Sequence, residues 1–168
     1  MNQKDLKGFS LLEVLITILL TAIGILGVVA MQSRSIQYTQ DAVERNTAMT
    51  LSEQLIEIMR ANPCAIYEKV PPVTPMAEEL KSTSLFYGAT ATGGCTGDSN
   101  ATTRATTLRD AWVQQLQNAL PGASYSVCRS STPENCDEKG SMLEIRISWQ
   151  GRDAYCDGQC NFFTRVEI

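Results

Sequence analysis

One uninterrupted apolar run, FSLLEVLITILLTAIGILGVVAM from Phe9 to Met31, constrains this chain more than any other feature. Twenty-three residues at the helical rise cover roughly 30 Å of hydrocarbon with a little to spare. Glu13 is the only charge within the run. Lys4 and Lys7 precede it and no comparable basic cluster directly follows. The cytoplasmic bias of flanking cations therefore predicts an N-terminus in the cytoplasm and the rest of the chain across the membrane. An ordinary secretory signal is cleaved after its apolar core, and Val28-Val29-Ala30 offers such a site. That reading requires a core of about 20 residues with a charge inside it, against the usual 7–15 apolar ones. An uncleaved single-span anchor is the other alternative.

No proline interrupts the sequence before Pro63. Ala48, Leu51, Leu55 and Ile58 recur at spacings of 3, 4 and 3, an apolar stripe, with Glu53, Glu57 and Arg60 on another face. One helix is thus predicted over 9–62, greasy all round in its first half and amphipathic in its second, stopped by Pro63. Residues 63–122 form a Gly/Pro/Thr-rich connecting region, marked by VPPVTP and GATATGGCTGDSNATT. Within it, Leu108, Trp112, Leu116, Ala119 and Leu120 predict a short helix over 107–120. Thr107 and Asp110 resemble a capping pair, and Pro121-Gly122 ends it. Residues 123–168 read as antiparallel sheet. Tyr125 and Val127 mark one strand. Leu143, Ile145, Ile147 and Trp149 alternate with Glu144, Arg146, Ser148 and Gln150 in a second. Phe162, Thr164, Val166 and Ile168 alternate with Phe163, Arg165 and Glu167 in a third. Turn signals at Thr132-Pro133 and Asp157-Gly158 predict two hairpins.

Composition narrows the chemistry. There is no histidine, so the commonest general base and metal ligand is missing. No phosphate-binding loop, metal-carboxylate cluster or nucleophile motif is evident, and neither an enzyme nor a cofactor is expected. The formal net charge of −4 gives no reason to expect nucleic acid as a partner. All six cysteines, Cys64, Cys95, Cys128, Cys136, Cys156 and Cys160, lie beyond the first 63 residues. An even number confined to the exported part predicts disulfides in an oxidising compartment. Of the 15 possible pairings, the two hairpins favour Cys128–Cys136 and Cys156–Cys160, leaving Cys64 for Cys95 by elimination. A zinc site is the alternative, weakened by the absence of histidine and of a paired C-x-x-C.

The stretch K-G-F-S-L-L-E, Lys7 to Glu13, places glycine before the apolar run and a carboxylate five residues into it. Residues 7–32 resemble the N-terminal signature of type IV prepilins and pseudopilins. The resemblance implies cleavage of a basic leader, residues 1–8, after Gly8 by prepilin peptidase, followed by N-methylation of Phe9. It also implies that Glu13 neutralises the N-terminal amine of a neighbouring subunit. Removing the leader takes away Lys4, Lys7 and Asp5, leaving 12 basic and 17 acidic residues, a charge of −5. Within the superfamily, A-I-G-I-L-G-V-V-A-M-Q (Ala22 to Gln32) and Met59-Arg60-Ala61-Asn62 resemble the PilV group of minor pilins, the pilus modification proteins. Major pilins usually carry proline where this chain has Ala30, which points to a minor component.

The fold expected on this resemblance is a pilin-like α+β ladle, its long N-terminal helix packed against a small antiparallel sheet. The function expected is a structural one. The resemblance implies a minor pilin at or near the tip of a type IV pilus, supporting assembly initiation and adhesin presentation. The partners it implies are other minor pilins, the major pilin and a tip adhesin. The location it implies is the inner membrane, spanned once with the head in the periplasm, until the chain enters the pilus. A minor pseudopilin of type II secretion is the alternative within the superfamily, and a single-span periplasmic sensor or enzyme domain the alternative outside it.

Overall fold

The computed structural model describes residues 10–70, 80–151, 156 and 158–168. Gly8, Phe9, Asp157 and most of VPPVTP lie outside the described residues. The first helix, α1, runs Leu11–Arg60. It ends where Asn62, with φ of −130°, leaves the helical region and Pro63 opens a single 3-10 turn, Pro63–Ala65. Proline disfavours helical backbone in the residue before it, which accounts for the stop.

The chain divides into two compact units, with the boundary inside α1 between Gln40 and Asp41. In the first unit nothing covers the helix among the described residues. Leu11, Leu15, Leu19, Ile23 and Leu26 are all more than half exposed. Its threonines turn their hydroxyls onto the helix's own carbonyls: Thr17 Oγ1 donates to Val14 O at 2.8 Å and Thr21 Oγ1 to Thr17 O at 2.9 Å. A helix so built presents no unmet donor to hydrocarbon. It is long and apolar enough to cross a membrane.

The second unit, Asp41–Ile168, holds the core. Its part of α1 buries Ala48, Leu51, Ser52, Leu55 and Met59. Met59 thus takes the place that the periodicity assigned to Ile58, which is only half-buried. The sheet consists of β1 (Ser124–Ser130), β2 (Met142–Trp149) and β3 (Cys160–Val166), antiparallel in the order β1-β2-β3. Val127 faces Ile145, and Ile147 faces both Tyr125 and Phe162. Leu143, Ile145, Ile147 and Trp149 are fully buried, so the period-2 alternation of β2 supplies the inner face. Each such side chain contributes about 1.5–3 kcal/mol on burial. Trp149 Nε1 also donates to Glu44 on α1 at 2.8 Å, a link from sheet to helix.

Two sequence expectations need correction here. The alternation put Glu144 on the solvent face, yet it is wholly buried. The 130–139 loop, joined to β1 by Cys128–Cys136, covers that face, and Glu144 receives Glu134 N at 2.8 Å, Ser130 Oγ at 3.3 Å and Arg146 Nε at 2.7 Å. A carboxylate with three donors can be buried, whereas an unpaired one cannot. The second correction concerns the helix expected over 107–120. The observed helix, α2, spans Ser99–Ala119, about two turns longer. Its cap is Asp98, whose Oδ1 accepts Ala101 N at 2.9 Å, so Thr107 and Asp110 are mid-helix. Thr103, Thr106 and Thr107 each bond the carbonyl four residues back, which satisfies a threonine-rich turn inside a helix.

The core-facing stripe of α2 is Ala101, Ala105, Arg109, Trp112 and Leu116, followed by Leu120. Trp112 lies edge-on to Tyr125, ring centroids 4.8 Å apart, and donates to Leu51 O at 2.9 Å. Burial pushes the Tyr125 phenol up to about 12. Arg109 replaces Leu108 in the stripe because its guanidinium has partners: Nη1 donates to Leu85 O at 3.0 Å and Ala91 O at 2.7 Å, and Nε to Asp110 at 2.9 Å. Arg109→Leu is expected to lower stability by about 2–4 kcal/mol, since it strands the buried Leu85 carbonyl and the part-buried Ala91 carbonyl. Urea unfolding followed by tryptophan fluorescence measures this, and an unchanged midpoint would show that Arg109 holds nothing.

Candidate assembly site

Glu13 sits in the first turn of α1. Its amide donates to Ser10 O at 2.9 Å, closing that turn. Its carboxylate is exposed and has no partner among the described residues. The neighbours along the helix are apolar and exposed: Leu11, Leu12, Val14, Leu15 and Ile16. A carboxylate in such a setting costs up to about 3 kcal/mol near mid-bilayer and less toward the interface. A cation supplied from outside the chain would offset that cost and fix the axial position of the two helices at once. The two other residues assigned to this end, Gly8 and Phe9, lie outside the described residues.

The head carries three disulfides: Cys64–Cys95, Cys128–Cys136 and Cys156–Cys160, and no described cysteine is free. Cys64 lies in the 3-10 turn that ends α1 and Cys95 three residues before the Asp98 cap, so this bond joins the ends of the two helices. Lys81, nearly fully buried, sits beside it, donating to Cys64 O at 2.8 Å and Gly94 O at 2.6 Å. Cys128 and Cys136 group with Glu144 in a cluster of potential metal-binding character. Both sulfurs are in a disulfide and the carboxylate is held by three donors, so the donor set does not fit a cation.

Sequence reasoning missed Lys81 and Arg109. A lone cation in a polar loop or on a helix carries no periodic signal, and only the carbonyls that converge on it reveal its role. It also missed that the 80–95 segment belongs to the core: Leu80, Leu85, Phe86 and Cys95 join the same cluster as Ile145 and Ile147. Gly93 explains part of this close packing, because a Cβ there would collide with the Thr83 carbonyl.

An exposed apolar helical segment with one carboxylate in its first turn, long and apolar enough to cross a membrane, precedes a small α+β head. The prokaryotic N-terminal methylation motif matches residues 4–29, and the Tt1218-like family, type IV pilin Tt1218, matches residues 30–112. The two matches abut, together cover residues 4–112, and support a type IV prepilin-like protein of the pilin or pseudopilin kind. No curated protein and no solved structure matches it. Type IV pilins are structural subunits, not enzymes. The methylation motif implies processing by prepilin peptidase and assembly with other pilins. The leader and apolar helix fit anchoring in the inner membrane with the head in the periplasm.

Proposed function

We propose that this protein is a minor pilin of a type IV pilus, acting at or near the tip to support assembly initiation and adhesin presentation. The observation that carries the assembly role is the Glu13 carboxylate, exposed on an apolar helix with no partner among the described residues. Its partner is the amine of a neighbouring subunit's mature N-terminus, which in this chain is Phe9 after cleavage behind Gly8. The minor role rests on the resemblance of Ala22 to Gln32 to the PilV group and on Ala30 where major pilins usually carry proline. The contacts proposed are other minor pilins, the major pilin and a tip adhesin.

Mass spectrometry of sheared pili tests this. The chain is expected there at a small fraction of the major pilin, together with other minor pilins and an adhesin. Abundance matching the major pilin would refute a minor role, and recovery only with a secretion apparatus would reassign the chain to the pseudopilins. Glu13→Ala is expected to be processed normally, because it makes the membrane segment more apolar, and to be lost from sheared pili. Incorporation of this variant at the wild-type level would show that the carboxylate is dispensable.

A further inference from the structure

The register of α2 leaves a second stripe unused by the core. With Arg109 turned inward, Leu108 is 39% exposed. Leu108, Ala111 and the edge of Trp112 meet Ile58 of α1 to floor a groove of about 690 Å³ between the two helices. A second depression, about 380 Å³, continues it to Val43 and Ala119 and shares Thr50, Gln54 and Gln115 with the first. From Val43 to Ile58 the groove follows sixteen residues of α1, about 22 Å or four helical turns. Its middle is lined by small residues, Thr47, Thr50 and Ala111, which let another backbone approach closely.

The polar groups around the groove indicate what covers it. Thr47 and Thr50 already donate to Val43 O at 2.8 Å and Asn46 O at 3.0 Å, so covering them strands no hydroxyl. Glu53, Gln54 and Gln115 have no side-chain partner among the described residues, while Glu57 is held by Arg60 at 2.9 Å. At the other end, α2 finishes at Ala119 with no basic residue in its last turn, so its terminal carbonyls add negative potential. The groove is therefore apolar along its floor, and Glu53 is the acidic residue of its lining that has no cation among the described residues. An occupant that covers Glu53 without supplying a cation leaves a desolvated, unpaired charge.

We propose that this groove receives a basic amphipathic helix of about four turns from another pilin subunit, with aliphatic anchors between Leu108 and Ile58 and a Lys or Arg at Glu53. Two helical walls and small central residues suit a helix laid into the groove, with anchors at i, i+3 or i+4 and i+7. The proposal rests on the reading of the chain as a pilus subunit.

A photo-crosslinking residue at Ala111 of the full chain in piliated cells, with the adduct mapped by mass spectrometry, tests it. The expected adduct is a Lys- or Arg-bearing helical segment of a different pilin. Leu108→Glu and, separately, Glu53→Lys are expected to reduce that adduct and incorporation into sheared pili at least about tenfold. Both positions are exposed, so leader cleavage and the absence of free thiols should not change. An adduct with lipid, with an acidic segment or with a second copy of this chain overturns the proposal, as does no adduct. Wild-type incorporation of both variants sinks the groove while leaving the minor-pilin reading standing. Absence of the unmodified chain from sheared pili removes that reading and the groove with it.

Discussion

Gly8→Val is expected to abolish maturation and to trap the chain at full length in the inner membrane. Residues 4–29 match the N-terminal methylation motif, and Gly8 is the glycine immediately before the apolar run within that match. In the proposed cleavage, the peptidase draws the backbone behind Gly8 into its active site, and a branched side chain there obstructs the approach. The effect is all-or-none because each later step needs the new N-terminus. The proposed methylation of Phe9 requires a free amine there, and the proposed pairing with a neighbour's Glu13 requires the same amine. Immunoblotting of membrane and pilus fractions measures the outcome, with Glu13→Ala as the processed control. A mature-sized band in the Gly8→Val membrane fraction would refute cleavage at this site.

Replacing Cys64 and Cys95 together by serine is expected to lower the stability of the head by about 2–5 kcal/mol. The bond spans 31 residues, for which the chain-entropy relation gives roughly 3–4 kcal/mol. From the sequence, the damage would fall mainly on the loop between 63 and 107, with the sheet left folded. The structure changes that expectation. Ile66, Tyr67, Leu80, Leu85 and Phe86 pack in one cluster with Leu55, Ile145 and Ile147. Releasing the staple therefore loosens a wall of the core, and the loss should appear as one shift of the whole transition. Lys81 still bridges Cys64 O and Gly94 O in the variant, so the turn keeps a non-covalent tie. Trp112 and Trp149, both buried, report unfolding of the full chain in detergent. An unchanged midpoint would show that the bond contributes nothing. A separate early transition, leaving tryptophan fluorescence intact, would restore the loop-only expectation.

Much of this architecture was legible because it rests on local rules. The membrane segment needs only length and apolarity, and Glu13 stands out as the one charge in it. Pro63 marks the end of α1 because its effect falls on the residue before it. The three strands show through their period of two, and antiparallel pairing of β1 with β2 and β2 with β3 follows from short connections. These are properties of neighbours in the chain, and they point to a membrane-anchored subunit without reference to any contact.

What the tertiary structure alone decided depends on groups far apart in sequence. The face of α2 turned to the core was set by Leu85 O and Ala91 O, which made Arg109 a better buried residue than Leu108. Hydropathy ranks those two side chains the other way, because it does not include the acceptors waiting for the guanidinium. The burial of Glu144 was decided likewise by the loop folded over it, which brings Glu134 N and Ser130 Oγ to the carboxylate. The groove beside Leu108 follows from the same choice of register. Periodicity determined that α2 would have an apolar stripe, and the carbonyls of a distant segment determined which stripe was spent on the core and which was left for a partner.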